Sequence, residues 1–202
     1  MSENNGDLFP ELKQAVFQMM ENNLMKGVYY HDVAHTRLVL HAVEWLSQYE
    51  KLTSADNRLI KIAALFHDIG FIEQYDDHEE SSCRIAEKIL VNQPYSKHEI
   101  QHILRLIRAT KLPHEPLDLM EMIMCDADLC YLGGEDYFSI SSQLRKELIY
   151  YNKLGSDPGA WDKFQLQFLE SHSYFTDTAK QILEPIKKKH MSILRQRIGL
   201  EG

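Results

Sequence analysis

Residues 54–72 read SADNRLIKIAALFHDIGFI, and this stretch decides what kind of fold the chain adopts. Ser54 is placed to cap a helix. Ile60, Ala63, Ala64 and Phe66 follow at three- and four-residue spacing, which is the mark of an amphipathic helix. Gly70 is placed to end that helix at or near His67-Asp68. The doublet is hemmed in by Ile62 to Phe66 on one side and by Ile69, Phe71 and Ile72 on the other. A charged aspartate in such surroundings is costly to desolvate unless a counter-charge meets it. Adjacent helical side chains diverge by about 100°. His67 and Asp68 therefore cover different patches, yet both can converge on an ion lying between them, and a divalent cation is an efficient counter-charge.

The same helical periodicity runs outward in both directions, and β-branched alternating runs are scarce. Pro10 opens a first helix with Leu12, Val16, Met19 and Met20 on one face, and Gly27 breaks the chain after it. A second helix is predicted over 31–50. Beyond the doublet, helices are predicted over about 79–91, then 96–110 with Ser96 and Glu99 forming a capping box. KLPHEP, residues 111–116, reads as a loop. Further helices are predicted over 117–132, stopped by Gly133-Gly134, over 135–154, over 161–170 and over 176–198, where Pro185 kinks or splits the last one. The fold class is all-α: one domain over 1–202, a compact multi-helix bundle with its core at about 28–132 and C-terminal helices at about 135–198.

Two further clusters carry chemistry. In Tyr30-His31-Asp32-Val33-Ala34-His35-Thr36 the two histidines are four apart, so a helix there puts them on one face. In Met124-Cys125-Asp126-Ala127-Asp128-Leu129 the two aspartates lie on different helix faces. At most one is a direct ligand, and the other supports it or faces solvent. Arg105, Arg108 and Lys111 recur at three-residue spacing, which suits a phosphate-gripping stripe or, equally, a solvated face. Lys187, Lys188, Lys189 and His190 read as a solvated helix face.

Bulk composition narrows the field. The chain has 202 residues and a formal net charge of −8, so a long nucleic-acid duplex is not an expected partner. One local basic pocket is enough for a small phosphorylated substrate. Cys83, Cys125 and Cys130 have no CxxC spacing and sit in apolar stretches, as small buried hydrophobes do. The polar, acidic start is not a secretory signal, and no apolar run reaches the ~20 residues that cross a bilayer. The default compartment is the cytoplasm, with no membrane partner. Asp126-x-Asp128 fails as a calcium loop, because Tyr131 and Tyr137 stand where Gly and Glu are needed. HEESS and HEP lack HExxH spacing, and no phosphate-binding glycine loop is present.

YHDVAHT (residues 30–36), ALFHDIG (64–70) and CDADL (125–129), in that order, resemble the motifs of the HD-domain superfamily of metal-dependent phosphohydrolases. That superfamily includes the cyclic-nucleotide phosphodiesterases. HEESSCRIAEKIL (78–90), IRAT (107–110), DADLCYLG (126–133) and FLESHSYFTDTA (168–179) extend the likeness to its small stand-alone bacterial members, over roughly residues 28–190. Asp32 departs from the pattern, where Asn is commoner. The resemblance implies a bundle of the HD/phosphodiesterase type, with His35, His67, Asp68 and Asp128 as metal ligands. Mixed N/O ligation suits Mn, Fe, Co, Ni or Zn, with Mg also allowed. Such an ion lowers the pKa of its water and polarises a phosphoryl oxygen.

Catalytic roles then fall to Asp68 and to His31, which by the resemblance protonates the leaving group. The alternative for His31 is a helix-start histidine bonded to a backbone carbonyl. His78 and Glu79 are candidates for a second metal or the substrate phosphate, Arg108 and Lys111 for substrate, and Asp126 for support. The implied activity is hydrolysis of a small phosphoester or phosphoanhydride, a nucleotide above all. The rival is a non-catalytic HD module that senses a nucleotide or protein partner, and the complete ligand quartet favours the enzyme. The resemblance also admits a homodimer.

Overall fold

Residues 8–200 are described by a computed structural model, and among them every regular element is helical. The order is α1 (Phe9–Asn23), α2 (Val33–Tyr49), α3 (Ser54–Phe66), α4 (His78–Leu90), α5 (Lys97–Arg108), α6 (Leu119–Asp128), α7 (Tyr137–Tyr150), α8 (Pro158–Ser171), α9 (Asp177–Ile182) and α10 (Glu184–Arg197). Short 3-10 turns follow α3 (Ile69–Ile72) and α6 (Cys130–Gly133). No described helix is long and apolar enough to cross a membrane.

Helix α3 is the axis of the bundle. Ile60, Ile62, Ala63, Ala64, Leu65 and Phe66 are all fully buried, so the helix is apolar on every side over its last five residues. It packs against α1, α2, α4, α5 and α6. At roughly 1.5–3 kcal/mol for each large side chain taken out of water, this one segment is a main source of the core's stability. Around it, α2 contributes Val39, Val43 and Leu46, α5 contributes Ile103, Leu106 and Ile107, and α6 contributes Ile123 and Met124. Helix α10 packs on α8, α9 and the turn after α6, and α7 packs on that same turn.

Several expected boundaries move, each for a local reason. Helix α2 starts at Val33, not residue 31, because Asp32 is the cap: its carboxylate accepts from the amides of Ala34 (2.8 Å) and His35 (3.0 Å). His31 is thereby outside the helix, and the expected shared helical face of His31 and His35 does not exist. Thr53, not Ser54, caps α3. The Ser96–Glu99 capping box is present. The helix expected over 176–198 is split at Leu183, and Pro185 sits in the first turn of α10, where its missing N–H costs nothing.

Gly70 does not cap α3, which ends at Phe66. Instead, a Cβ at Gly70 would lie 2.0 Å from the carbonyl oxygen of His78 and 2.8 Å from the Ser82 nitrogen. Only a hydrogen in place of a side chain lets the turn after α3 touch the start of α4. The Gly70 amide donates to Ser82 Oγ at 2.8 Å across this contact. That contact brings His78 beside Asp68.

Candidate metal centre and adjoining cavity

Four side chains meet where helix ends converge. His35 comes from the first turn of α2, His67 closes α3, Asp68 follows it, and Asp128 is the last residue of α6. The C-termini of α3 and α6 both point their carbonyl ends here, which favours positive charge. His35 and His67 Nε2 lie 3.2 Å apart. Asp68 Oδ2 is 3.1 Å from His67 Nε2 and 3.3 Å from His35 Nε2, and Asp128 Oδ1 is 3.4 and 3.1 Å from the same two atoms. His35, His67 and Asp128 form a set able to hold a metal ion, with ligand atoms within 4.8 Å of one another. Asp68 approaches the same two nitrogens from beside them.

Proton positions show that a cation fits. A carbonyl only accepts, so His67 Nδ1 carries a hydrogen and donates to the Ala64 oxygen at 2.9 Å. With Nδ1 so engaged, loss of the Nε2 proton to an incoming cation aims the Nε2 lone pair into the cluster, as metal-ligating histidines are held. Asp68 Oδ2 is buried and has no hydrogen-bond partner. Two nitrogens and two carboxylates facing one point, without donors enough between them, are the donor set of a divalent cation.

The electrostatics carry the same strain. Burial alone would lower both imidazole pKa values, but Asp128 and Asp68 outweigh it, raising His35 and raising His67 well above an ordinary histidine. Burial alone would raise the two carboxyls. The His67 charge with hydrogen bonds from His35 and His67 instead holds Asp68 well below the usual carboxylate range, and bonds from His35 and His67 depress Asp128.

His31 and His78 flank the cluster. The ring of Phe71 contacts both, stacked on His31 (centroids 4.5 Å) and on His78 (4.0 Å), while the two imidazoles lie 5.8 Å apart. His78 Nε2 is 3.5 Å from Asp68 Oδ1 and 3.6 Å from Glu79 Oε1. His31 Nδ1 faces Glu147 Oε1 at 2.5 Å. Glu147, from α7, is fully buried; its Oε2 accepts the amides of Tyr29 (2.8 Å), Tyr30 (2.8 Å) and His31 (3.3 Å), and Tyr75 Oη donates to Oε1. Burial would raise the Glu147 carboxyl, yet the His31 charge and these bonds lower it. Glu147 is thus an ionised acceptor that fixes the proton of His31 on Nδ1 and leaves Nε2 as the ring nitrogen free for a ligand.

Neither Glu147 nor Phe71 is among the functional residues read from the sequence. No local motif surrounds Glu147, and its partners lie 72 to 118 positions away. Phe71 was visible only as part of an apolar flank.

Other sequence candidates go elsewhere. Asp126 is fully buried and points away from the histidines; it accepts from the amides of Phe175 and Thr176 (2.8 Å each) and from Thr176 Oγ1 (2.7 Å). It ties α6 to the turn before α9. Arg108 is outside the cavity, its guanidinium taken by both oxygens of Glu80 at 2.8 and 3.1 Å. Arg105 is held by Asp118 and Glu121. Of that basic series Lys111 alone reaches the cavity wall, where Asp77 binds it. Cys83, Cys125 and Cys130 are free and buried.

One cavity of about 380 Å³ begins at Asp68, Asp128, His31 and His78 and runs toward α7 and α8.

The HD domain family model matches residues 33–131, the span that holds His35, His67, Asp68 and Asp128. A crystal structure of a predicted HD superfamily hydrolase from an uncultured Thermotogales bacterium has the same fold, with a TM-score of 0.59 at 18% identity, covering 98% of this chain and 100% of that one. No curated protein matches.

Proposed function

The chain is an HD-domain protein, and from that premise we propose that it is a metal-dependent phosphohydrolase cleaving a small phosphoester or phosphoanhydride. The observation that carries the reading is the convergence of His35, His67, Asp68 and Asp128 beside a substrate-sized cavity that Asp68 and Asp128 line. A divalent cation held by these four side chains supplies Lewis acidity toward a phosphoryl oxygen and acidifies water.

The remaining work belongs to the protein's own groups. His31 lines the same cavity, and as an imidazolium, with its Nδ1–H held by Glu147, it carries a second proton on Nε2 to give to the departing oxygen. His78, stacked on Phe71, borders the same space and orients the phosphoryl group, and Glu79 lies beside the His78 ring at 3.6 Å. Burial of the floor excludes bulk water and strengthens each of these interactions. The nucleotide anticipated from the sequence is one ester of the kind this site would take.

Asp68→Ala tests the reading. The variant should lose its bound metal and its hydrolysis of a phosphorylated-metabolite panel supplied with Mn, Co, Ni or Mg. A variant that keeps both metal content and rate removes the basis for the assignment, and a metal-loaded wild type inert toward every phosphoester would favour the sensor reading.

A further inference from the structure

The wall of the cavity opposite the histidines is built from Leu132, Leu144, Leu148, Trp161, Phe164 and Phe168, supplied by α7, α8 and the turn after α6. It offers aliphatic and aromatic surface and very little polarity. Ser141 and Gln165 also lie there, but the Ser141 hydroxyl donates to Gln165 Oε1, and Gln165 Nε2 donates to Asp162 Oδ1 at 3.2 Å. A purine or pyrimidine edge needs unpaired donors and acceptors to be read. Ser141 and Gln165 are engaged with each other and with Asp162, and Tyr137 adds one phenol to the lining.

Charge limits the other half of the ligand. Asp68, Asp76, Asp77, Glu79 and Asp128 line the cavity, and Lys111 is the one lysine or arginine among the described lining residues. Lys111 is ion-paired with Asp77 at 2.5 Å, and Lys153 approaches Asp76 from outside at 2.7 Å. A cation at the histidine cluster neutralises Asp68 and Asp128, and one phosphoryl group fits against it. Each further phosphate would bring negative charge beside Asp76, Asp77 and Glu79, with no guanidinium to receive it. At about 380 Å³ the space is at the small end for ligand sites, which run to about 1,000 Å³.

Building on the phosphohydrolase reading, we propose that the substrate is the monophosphate ester of an apolar, ring-bearing alcohol or phenol, not a nucleoside polyphosphate or cyclic dinucleotide. The phosphoryl group sits at the cluster and the ring packs against Trp161, Phe164 and Phe168. In the reaction the oxygen of water bonds to phosphorus as the ester P–O bond breaks. The departing oxygen takes a proton from His31, and the proton that the water gives up restores His31. The products are the free alcohol and inorganic phosphate.

The test uses the full chain loaded with Mn. Turnover is compared for naphthyl phosphate, glycerol phosphate, deoxyadenosine monophosphate and deoxyadenosine triphosphate. In parallel, calorimetry compares naphthylphosphonate, which cannot be hydrolysed, with methylphosphonate. The expected result is that kcat/KM for naphthyl phosphate exceeds each of the others by on the order of tenfold or more, the scale at which apolar pockets discriminate. Naphthylphosphonate should likewise bind at least about tenfold more tightly than methylphosphonate, and in a Trp45→Phe background it should quench the emission of Trp161. Phe164→Ser, at a half-exposed position tolerant of change, should narrow the naphthyl-to-glycerol ratio. Preference for either nucleotide, or equal binding of the two phosphonates, overturns the inference. Selective phosphonate binding without turnover of any ester would leave it standing while removing the phosphohydrolase reading. Turnover without preference would do the reverse.

Discussion

Replacing Glu147 by glutamine changes one atom in a fully buried side chain and separates two jobs that its oxygens perform. Oε2 accepts three backbone amides, and Oε1 accepts His31 Nδ1 and the Tyr75 hydroxyl. In the variant the amide oxygen can keep the three backbone donors. Its NH2 group then faces His31 Nδ1, donor against donor, unless the imidazole moves its proton to Nε2. The neutral ring takes that other tautomer, and an imidazolium at this position loses its counter-charge. If His31 is the proton donor, kcat should fall by roughly 10²–10⁴-fold, the usual contribution of a positioned general acid.

Stability should suffer much less than in Glu147→Ala, which strips the acceptor from all of these donors. The alanine variant should lose about 3–5 kcal/mol, hence on the order of 6–20 °C in Tm for a chain of this length. The assays are kcat on the preferred ester, thermal denaturation of both variants, and imidazole nitrogen NMR to report the His31 tautomer. A glutamine variant with wild-type kcat refutes the proton-donor role. One with the original tautomer refutes the positioning argument even if activity drops.

Other perturbations discriminate the remaining assignments. Asp126→Ala abandons two backbone amides and a hydroxyl, so it should cost about 3 kcal/mol, seen as a lower denaturation midpoint, while metal content by elemental analysis stays at the wild-type level. Gly70→Ala forces a Cβ against the His78 carbonyl; about 1–3 kcal/mol of destabilisation is expected, with weaker metal retention in equilibrium dialysis because α4 must back away from Asp68. His172 is pushed down to about 3 by burial and by Lys187. The unfolded chain therefore binds a proton that the folded chain refuses, and stability is full above pH 6.5 and falls as pH drops toward 3. About 2 kcal/mol should disappear between pH 6.5 and 4 after allowance for partial solvent contact, and His172→Gln should flatten that slope in pH-dependent urea melts.

What the sequence revealed follows a physical boundary. Helix positions were legible because apolar spacing and capping chemistry act over a few residues: Ser96 with Glu99 is one case, and Pro185 splitting the last helix is another. The HD doublet was legible because a charge inside an apolar run needs a counter-charge, whereas His35 and Asp128 were singled out by the resemblance of their motifs. Where long-range contact decides, local pattern misled or fell silent. Gly70 looked like a helix stop, but its reason is the approach of α4 from across the turn. His31 looked like a helix partner of His35, until Asp32 took the cap. The apolar wall from Trp161 to Phe168 reads from sequence only as a helix over 161–170, since nothing in a helical repeat distinguishes a face packed on protein from one bordering a cavity.

Four carboxylates make the same point in chemical terms, because sequence presents them as equals and their donors do not. Asp126 is matched by two amides and a hydroxyl, and Glu147 by three amides, an imidazole and a phenol. Their charge is spent on organising loops. Asp68 Oδ2 and Asp128 Oδ1 face the two imidazoles, and His67 has its one proton committed to Ala64. A carboxylate surrounded by N–H and O–H groups needs nothing more, and one surrounded by lone pairs needs a cation. By that count Asp126 falls outside the candidate metal cluster and Asp128 within it, although the two stand only two residues apart on one helix.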